Sequence, residues 1–236
     1  MTQLQQTAAR NHLLAALTAE EFELLQARLE KVPLNFRDMI LEARAPIQHV
    51  YFPERGIASI LANTAQGRIE VGMIGREGMT GVPVVLGMDR SPHGLLIQAA
   101  GEALRMTAQD LRWVIAQSPS LNARLLRYVH AMMVQTAQTA YANASFDIEA
   151  RLARWILMTH DRLESDELPL THEFLSMMLG VRRPGVTVAV QALEGRGLIR
   201  ASRGCITVLN RTKLEAVAED AYGVSEAEYA SIMGQA

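Results

Sequence analysis

The sequence contains a single cysteine, Cys205, among its 236 residues. One cysteine excludes an internal disulfide and any zinc or iron–sulfur site built from several cysteines. The sequence also lacks a run of 18 apolar residues, which excludes a membrane-spanning helix. Residues 1–11 lack the apolar core of a secretion signal. These absences predict a cytoplasmic protein without a membrane partner.

Charge is balanced overall but unevenly distributed along the chain. The formal net charge is −2 at pH 7, so nucleic acid cannot be held by a uniformly basic surface. Residues 174–213, however, include seven basic residues and a single acidic one, Glu194. Residues 214–236 include five acidic residues and no basic one. Such a basic segment is typical of a phosphate-binding module, and the alternative is a solvated charged face. The basic residues are Arg182, Arg183, Arg196, Arg200, Arg203, Arg211 and Lys213.

The first half of the sequence changes from helical to strand-like patterning. Apolar residues recur at helical spacing over 12–30, and Thr18 with Glu21 has the pattern of a capping box for a second short helix. Pro33 is predicted to end this helical region. Short apolar segments separated by turn residues follow, which predicts an antiparallel barrel or sandwich. These segments are 57–61, 68–74, 82–86 and 95–99.

Residues 111–144 are predicted to form a long helix. Seven of its residues recur at alternating steps of four and three, the a/d spacing of a coiled-coil seam. A second apolar set lies beside the seam, so one stripe can pack on the β domain and the other on a partner. The seam predicts a homodimer, and the alternative is one helix buried on two sides within a subunit. The seam is Leu121, Leu125, Tyr128, Met132, Gln135, Thr139 and Ala142, and the second set is Leu126, Val129, Met133 and Ala140.

The segment from Thr171 to Ile199 has the pattern of a helix-turn-helix. Thr171 is an N-cap, Gly180 permits the left-handed backbone that ends the first helix, and Pro184 suits the first turn of the second. The glycine-containing hairpin that follows has the pattern of a wing. The N-terminal end of the second helix is the part that enters a DNA major groove. The predicted DNA-binding residues are Thr171, His172, Arg182, Arg183, Gly185, Thr187 and Arg203.

Four stretches resemble the Crp/Fnr family of bacterial transcription regulators. The resemblance implies an α+β fold with an N-terminal antiparallel β-roll (jelly-roll-like) at 1–112, a dimerisation helix at 113–145, and a winged helix-turn-helix with an acidic tail at 146–236. It also implies a homodimeric, sequence-specific transcription regulator that binds double-stranded DNA and contacts RNA polymerase. The stretches are Tyr51-Phe-Pro-Glu-Arg-Gly56, Gly75-Arg-Glu-Gly-Met-Thr-Gly81, Arg151-Leu-Ala-Arg-Trp-Ile-Leu157 and Thr171 through Ile199.

The DNA-reading helix departs from the family pattern at two positions. The family's guanine-reading arginine matches Arg183, but its glutamate is replaced by Pro184 and its second arginine by Val188. The resemblance therefore does not imply the family's usual operator.

The roll also departs from the members of the family that bind cyclic AMP. Met79 stands where their ribose-binding glutamate would be, and no arginine lies between Pro92 and Glu102 to hold the cyclic phosphate. An anion of this kind needs a charge-assisted donor, so we expect no conventional cyclic-nucleotide binding. The effector is left unidentified and no cofactor is predicted; a haem ligand at His49 or His93 is the weaker alternative. The effector pocket is predicted at Gly78, Met79, Thr80, Gly81, His93, Gly94 and Thr136.

The sequence offers no catalytic constellation. His172-Glu173 lacks the second histidine of a zinc-binding helix, and no Gly-x-Ser-x-Gly elbow is present. Cys205 has no neighbouring base and is expected to be an inert thiol. The sequence thus predicts a regulator rather than an enzyme, without a metal site. Two alternatives remain: an effector-independent regulator whose roll is a scaffold, and a ligand sensor that acts through protein contacts.

Overall fold

The computed structural model describes residues 5–65 and 67–234, so the predicted domain limits at residues 1 and 236 lie outside the described residues. Two short helices come first, and the capping box of the second is confirmed. The Thr18 hydroxyl accepts from the Glu21 N–H at 3.2 Å, and the Glu21 carboxylate accepts from the Thr18 N–H at 3.0 Å. The predicted end at Pro33 is wrong, because Pro33 lies in a strand. The elements are a 3-10 turn (Gln6–Ala8), α1 (His12–Ala15) and α2 (Ala19–Gln26).

A five-stranded antiparallel sheet forms the β-roll, and it confirms the predicted antiparallel architecture. The strands are β1 (Glu30–Leu34), β2 (Met39–Leu41), β3 (His49–Thr64), β4 (Gly67–Ile74) and β5 (Gly94–Thr107). Their order is β1-β5-β3-β4, and β2 also pairs with β5. The register of β3 on β5 shifts between Pro53 and Ala58, where Gly56 has a φ of +86°. Because bulges of this kind bend a strand, the two long strands curve around the core.

The predicted strand at 82–86 is wrong, because Val82–Val85 form the short helix α3. Gly81 precedes this helix with a φ of +88°, and Pro83 lies in its first turn. The left-handed glycine redirects the chain, and the proline has no N–H to donate to a neighbouring strand. The other three predicted segments lie within β3, β4 and β5.

The predicted long helix is interrupted at Ser118. Helix α4 (Ala108–Gln117) ends there and helix α5 (Pro119–Ser145) begins, with the Ser118 hydroxyl accepting from the Leu121 N–H at 3.2 Å. Pro119 suits the first turn of a new helix because its missing N–H would have no partner there. The predicted helix over 111–144 is therefore two helices, and the predicted domain boundary at residue 113 falls inside α4.

All seven predicted seam residues of α5 are buried within the chain, so the predicted dimer seam is wrong. Tyr128 donates to the Met79 carbonyl oxygen at 3.1 Å, and Gln135 accepts from the Met73 N–H at 3.1 Å. These intrachain partners belong to the roll, which occupies the face that the spacing assigned to a second chain. The buried residues are Leu121, Leu125, Tyr128, Met132, Gln135, Thr139 and Ala142.

The opposite face of α5 is exposed. Leu126 and Met133 are 42% and 66% exposed, whereas Val129, from the second predicted set, is buried. Small residues continue the exposed stripe at alternating steps of three and four. We call this set the outer stripe: Ala123, Leu126, His130, Met133, Ala137, Ala140 and Ala144.

The C-terminal part consists of helices around a small antiparallel sheet of order β6-β8-β7. Strand β6 is only two residues long and pairs with β8. The last helix lies along α5. In the 3-10 turn that precedes it, the Asp220 carbonyl oxygen accepts from the Gln138 side chain of α5 at 2.5 Å. The elements are α6 (Ile148–Leu163), β6 (Glu167–Leu168), α7 (His172–Leu179), α8 (Arg183–Gly195), β7 (Ile199–Ser202), β8 (Cys205–Val208), α9 (Arg211–Ala218), a 3-10 turn (Glu219–Ala221) and α10 (Val224–Met233).

One hydrophobic core joins the roll to the C-terminal part. Ile57, Leu61 and Met73 of the roll belong to the same buried cluster as Leu152 and Trp155 of α6. The two parts are therefore packed against each other rather than connected by the chain alone.

Charged groups are buried at the same junction. The Arg162 guanidinium of α6 donates from Nε to Glu77 Oε1 of the roll at 2.7 Å. Glu70 of β4 is fully buried, and burial raises the pKa of its carboxyl to about 8, although Arg162 and Arg154 act in the opposite direction.

Gly78→Ala tests the fit of α5 on the roll. A Cβ atom at Gly78 would lie 2.1 Å from the Tyr128 hydroxyl oxygen. The buried ring would have to move, so we expect the free energy of unfolding to fall by roughly 2 kcal/mol. Gly195→Ala at the end of α8 is the control, because nothing lies within 4 Å of the added atom. Urea unfolding measures both variants, and equal stability of the two would contradict the close fit.

Candidate nucleic-acid interface

Helix α7 is held by the capping signals that the sequence contains. The Thr171 hydroxyl accepts from the Phe174 N–H at 3.2 Å at the start of the helix. Gly180 ends it with a φ of +62°. Phe174, Leu175 and Met178 are buried and form the inner face of the helix. The N-terminal end of α7, with exposed His172, is therefore fixed at the surface.

Helix α8 buries one face and exposes its N-terminal end. Val186, Val190 and Leu193 are buried, whereas the Arg183 side chain is 69% exposed. The Thr187 hydroxyl lies 3.3 Å from Nδ1 of His172, a contact that ties the start of α7 to α8. Arg182 occupies the N-cap position and is exposed. The structure thus brings Arg182, Arg183, Thr187 and His172 to one end of the helix pair.

Gly185 does not share that exposed surface fully. It is half-buried, and an added Cβ would lie 3.5 Å from Ile148 Cδ1 of α6. Its position indicates a packing role beside α6, which differs from its predicted contact with DNA.

The predicted wing is a hairpin of β7 and β8 whose tip lies against α7. Gly204 at the tip has a φ of +76°, and a Cβ atom added there would lie 3.8 Å from Cγ2 of Thr171. Arg203 is exposed beside it. The wing tip and the N-terminal ends of α7 and α8 therefore form one continuous surface.

Ion pairs reduce the positive charge that this surface can offer. Arg196 lies 2.5 Å from Glu149, and Arg211 lies 2.8 Å from both Asp161 and Glu215. Among the described residues, Arg182, Arg200, Arg203 and Lys213 have no ion-pair partner. The local excess counted from the sequence is thus larger than the charge available to phosphates.

Two exposed side chains of α8 are not among the predicted DNA-binding residues. Val188 is 66% exposed, and Gln191 lies on the same outward side. The sequence signal for Val188 is its place at the position where the family has its second arginine.

The roll touches the first helix of the pair. The Phe36 ring lies 5.5 Å from the Phe174 ring, and Arg37 forms an ion pair with Glu173 at 3.2 Å. Glu173 also lies 3.9 Å from Arg183, so a surface ion pair is an alternative role for that arginine. Because both arginines are more than half exposed, these pairs contribute under about 1 kcal/mol each.

The residues of the predicted effector pocket differ in burial and in their contacts, and the prediction of a pocket there stays a prediction. Met79 and Thr80 are buried in the core, and Thr136 is exposed on the outer side of α5. Tyr128 fills the space beside Gly78, and burial raises the pKa of its hydroxyl well above the ordinary value. Gly94 pairs with Leu61 in the sheet, His93 is half-buried beside it, and Gly81 begins α3.

Neither a membrane span nor a metal cluster is found in the described part of the chain. None of its helices combines the length and apolar character needed to cross a bilayer. In the same described residues, no group of three or more histidine, cysteine, aspartate or glutamate side chains is arranged so that it could hold a metal ion.

Residues 150–217 match the family model of the Crp-like helix-turn-helix domain. No curated protein sequence matches the chain. The family match runs from the first turn of α6 to the last turn of α9 and includes all seven predicted DNA-binding residues.

Several solved structures are similar over most of the chain. One, described as a Crp/Fnr-family transcriptional regulator from Eubacterium rectale, is 18% identical, with 87% of this chain and 97% of that chain covered and a TM-score of 0.66. FixK2 from Bradyrhizobium japonicum is 13% identical, with 81% and 98% covered and a TM-score of 0.68. The c-di-GMP-responsive regulator CLP from Xanthomonas campestris is 18% identical, with 81% and 99% covered and a TM-score of 0.64. These matches confirm the predicted fold class and the resemblance to the Crp/Fnr family.

We expect cyclic AMP and cyclic GMP to show no saturable binding at micromolar concentrations. The roll lacks an arginine between Pro92 and Glu102, and the Tyr128 ring occupies the space beside Gly78. Isothermal titration calorimetry of the full chain checks this expectation. Saturable micromolar binding of either nucleotide would show that Arg90 or Arg105 reaches a pocket that this structure does not form.

Proposed function

We propose that this chain, which carries a Crp-like helix-turn-helix domain on the fold of the Crp/Fnr regulators, is a cytoplasmic transcription regulator that binds a specific DNA site as a homodimer. One observation carries the proposal: Arg183 at the exposed end of α8 shares a surface with the wing tip and the start of α7. A helix presented in this way enters the major groove, while flanking groups meet the phosphates. The chain acts by binding rather than by catalysis.

Arg183 and Val188 give α8 two base-reading side chains of different chemistry. An arginine at the start of the helix can donate two parallel hydrogen bonds to O6 and N7 of guanine. The exposed Val188 side chain suits the methyl group of thymine. Arg182 and Arg203, which have no ion-pair partner among the described residues, suit phosphates on either side of the groove.

The outer stripe of α5 is the surface that a second copy of the chain would cover. Its steps of three and four are those of a two-stranded coiled coil, and its alanines allow the helices to approach closely. Dimerisation there leaves the roll side of α5 unchanged, since those residues are already buried. A twofold dimer places its two recognition helices in half-sites about 10 bp apart.

The filled space beside Gly78 favours a roll that takes no ligand at the position used by cyclic-nucleotide sensors. This supports the alternative in which that part of the roll is a scaffold. Contact with RNA polymerase is the further step by which a DNA-bound dimer of this family would regulate transcription, and it rests on the family resemblance.

Arg183→Ala is the variant that tests base reading. Loss of the bidentate contact should weaken the specific site by roughly 1–3 kcal/mol and remove the preference at one base pair in each half-site. Selection of binding sites from random DNA, carried out with wild type and with the variant, measures the base preference at each position. If the variant selects the same consensus with the same information at every position, α8 does not read DNA through Arg183.

Arg203→Ala tests the wing, with Arg196→Ala as the matched control. Arg203 is free to meet a phosphate, so its loss should weaken specific and nonspecific DNA alike and reduce the salt dependence by about one phosphate contact. Arg196 is engaged by Glu149 at 2.5 Å, so its variant should keep the wild-type slope. The test is the slope of DNA affinity against salt concentration on logarithmic scales. Identical slopes for wild type and both variants would show that the wing does not contact DNA.

The double variant Leu126→Asp/Met133→Asp tests the dimer surface. Two aspartates from each chain would put four negative charges into the proposed interface along the outer stripe. We therefore expect a monomer at low micromolar concentration by light scattering. Leu86→Asp/Met88→Asp is the control, because these residues are about as exposed but lie outside α5. A dimer that survives the α5 variant would assign dimerisation to another surface.

A further inference from the structure

A cavity of about 290 Å³ lies where the roll, α5, α6 and α10 meet. Its size is at the lower end of the range for small-molecule sites. Arg76 and Glu77 line it from the roll, and Arg162 lines it from α6. None of the residues predicted for the effector pocket lines this cavity, although Tyr128 of its lining contacts Gly78 and Met79.

Aromatic and apolar groups form much of its wall. The lining includes Tyr128, Tyr222 and Tyr229, three of the five tyrosines of the chain, together with Ala131 and Met132 of α5. The faces of tyrosine rings attract cations. An organic molecule with an apolar body and a positive charge therefore has favourable contacts on these sides.

The tyrosine hydroxyls are arranged as acceptors. Tyr128 donates its proton to the Met79 carbonyl oxygen at 3.1 Å, and Tyr229 donates to the Glu77 carbonyl oxygen at 2.5 Å. Burial raises the pKa of both hydroxyls, so they remain neutral. Their lone pairs are then available to a ligand that donates hydrogen bonds.

Most charges around the cavity are already paired. Glu77 bonds Arg162 at 2.7 Å, and Asp161 bonds Arg211 at 2.8 Å. Arg76 forms an ion pair with Glu164 outside the cavity lining. These pairs leave little net charge of their own for a ligand.

Glu226 is the exception among these charges. In residues 5–65 and 67–234 it has no ion-pair partner, and its Oε2 accepts from the Gly223 N–H and the Ser225 hydroxyl, each at 3.0 Å. Arg162 and Arg154 act on it only at longer range. The second oxygen, Oε1, is thus free to accept from a ligand. The lining holds three carboxylates (Glu77, Asp161 and Glu226) and two guanidinium groups (Arg76 and Arg162), an excess of one formal negative charge.

We propose that this cavity binds a small organic cation, an amine with an apolar or aromatic body. The ammonium group bonds Glu226 and the tyrosine oxygens, and the body lies on Met132 and the tyrosine rings. An anion of the same shape would meet the carboxylates of Glu226 and Glu77. The two guanidinium groups of the lining are already paired, Arg76 with Glu164 and Arg162 with Glu77. Among their buried nitrogen atoms in the part of the chain that the structure describes, only Arg76 Nε has no hydrogen-bond partner.

The position of the cavity gives its ligand a route to the DNA-binding surface. Glu77 belongs to the roll and Arg162 to α6, which is joined to α7 and α8 by a common core. A bound amine would contact both sides of this junction. The binding site stands by itself, whereas a change in DNA affinity on amine binding rests on the proposed function.

Calorimetry of the full chain with 2-phenylethylamine and phenylacetate tests the site. The two probes share a ring and differ in the sign of their charge. We expect the amine to bind with a Kd below about 1 mM and phenylacetate to bind at least about tenfold more weakly. Ala131→Leu should abolish amine binding by filling the cavity, and circular dichroism will show that this variant is folded.

Glu226→Gln tests the charge with little change of shape, because glutamine can still accept from the Gly223 N–H. We expect amine affinity to fall at least about tenfold. Glu228→Gln on the same helix removes an exposed charge that does not line the cavity, and it should bind the amine as wild type does.

Three results would overturn the proposal: no saturable amine binding up to about 10 mM, equal binding of the two probes, or unchanged amine affinity in Glu226→Gln. Specific DNA binding by wild type is measured separately. Its absence would refute the proposed function and leave the titrations standing, whereas failed titrations with intact DNA binding would refute the cavity site alone.

Discussion

The buried ion pair between Arg162 and Glu77 is the contact on which the arrangement of the two halves depends. Glu77 also accepts from the Gly75 N–H at 3.1 Å, and Arg162 also donates to the Met158 carbonyl oxygen at 2.8 Å. Removing one partner would leave a charge buried without compensation, which is far more costly than the pair itself is stabilising. The pair thus fixes α6 on the roll, and through α6 it fixes the helix pair and the wing.

Helix α5 shows why a heptad pattern predicts a helix better than it predicts a partner. Both faces of α5 carry residues at steps of three and four. The sequence analysis predicted the dimer seam on the face with the larger apolar residues. Those residues, such as Leu125 and Tyr128, cover the roll within the chain. The exposed outer stripe is rich in alanine, and an alanine contributes little to burial because its side chain has so little apolar area.

Local signals predicted the helix-turn-helix, and distant contacts explain the failures. Thr171, Gly180 and Pro184 act through their own backbone neighbours, so their roles can be inferred from residue type. The pairing of Arg196 with Glu149 and the position of Tyr128 beside Gly78 join residues about fifty positions apart. No spacing rule relates residues that far apart in the sequence. The sequence therefore did not show that Arg196 is paired or that Tyr128 fills the space beside Gly78.

Glu70 makes the junction between the halves sensitive to proton activity. The pKa of its carboxyl is about 8 in the folded chain against 4.5 for an ordinary glutamate, so the folded state holds this proton more tightly than the unfolded state does. The associated stability is complete below about pH 4.5 and is lost as the pH rises through about 8. Near neutrality the junction therefore encloses an uncharged acid, and alkaline conditions would force either a bare carboxylate or water into its interior.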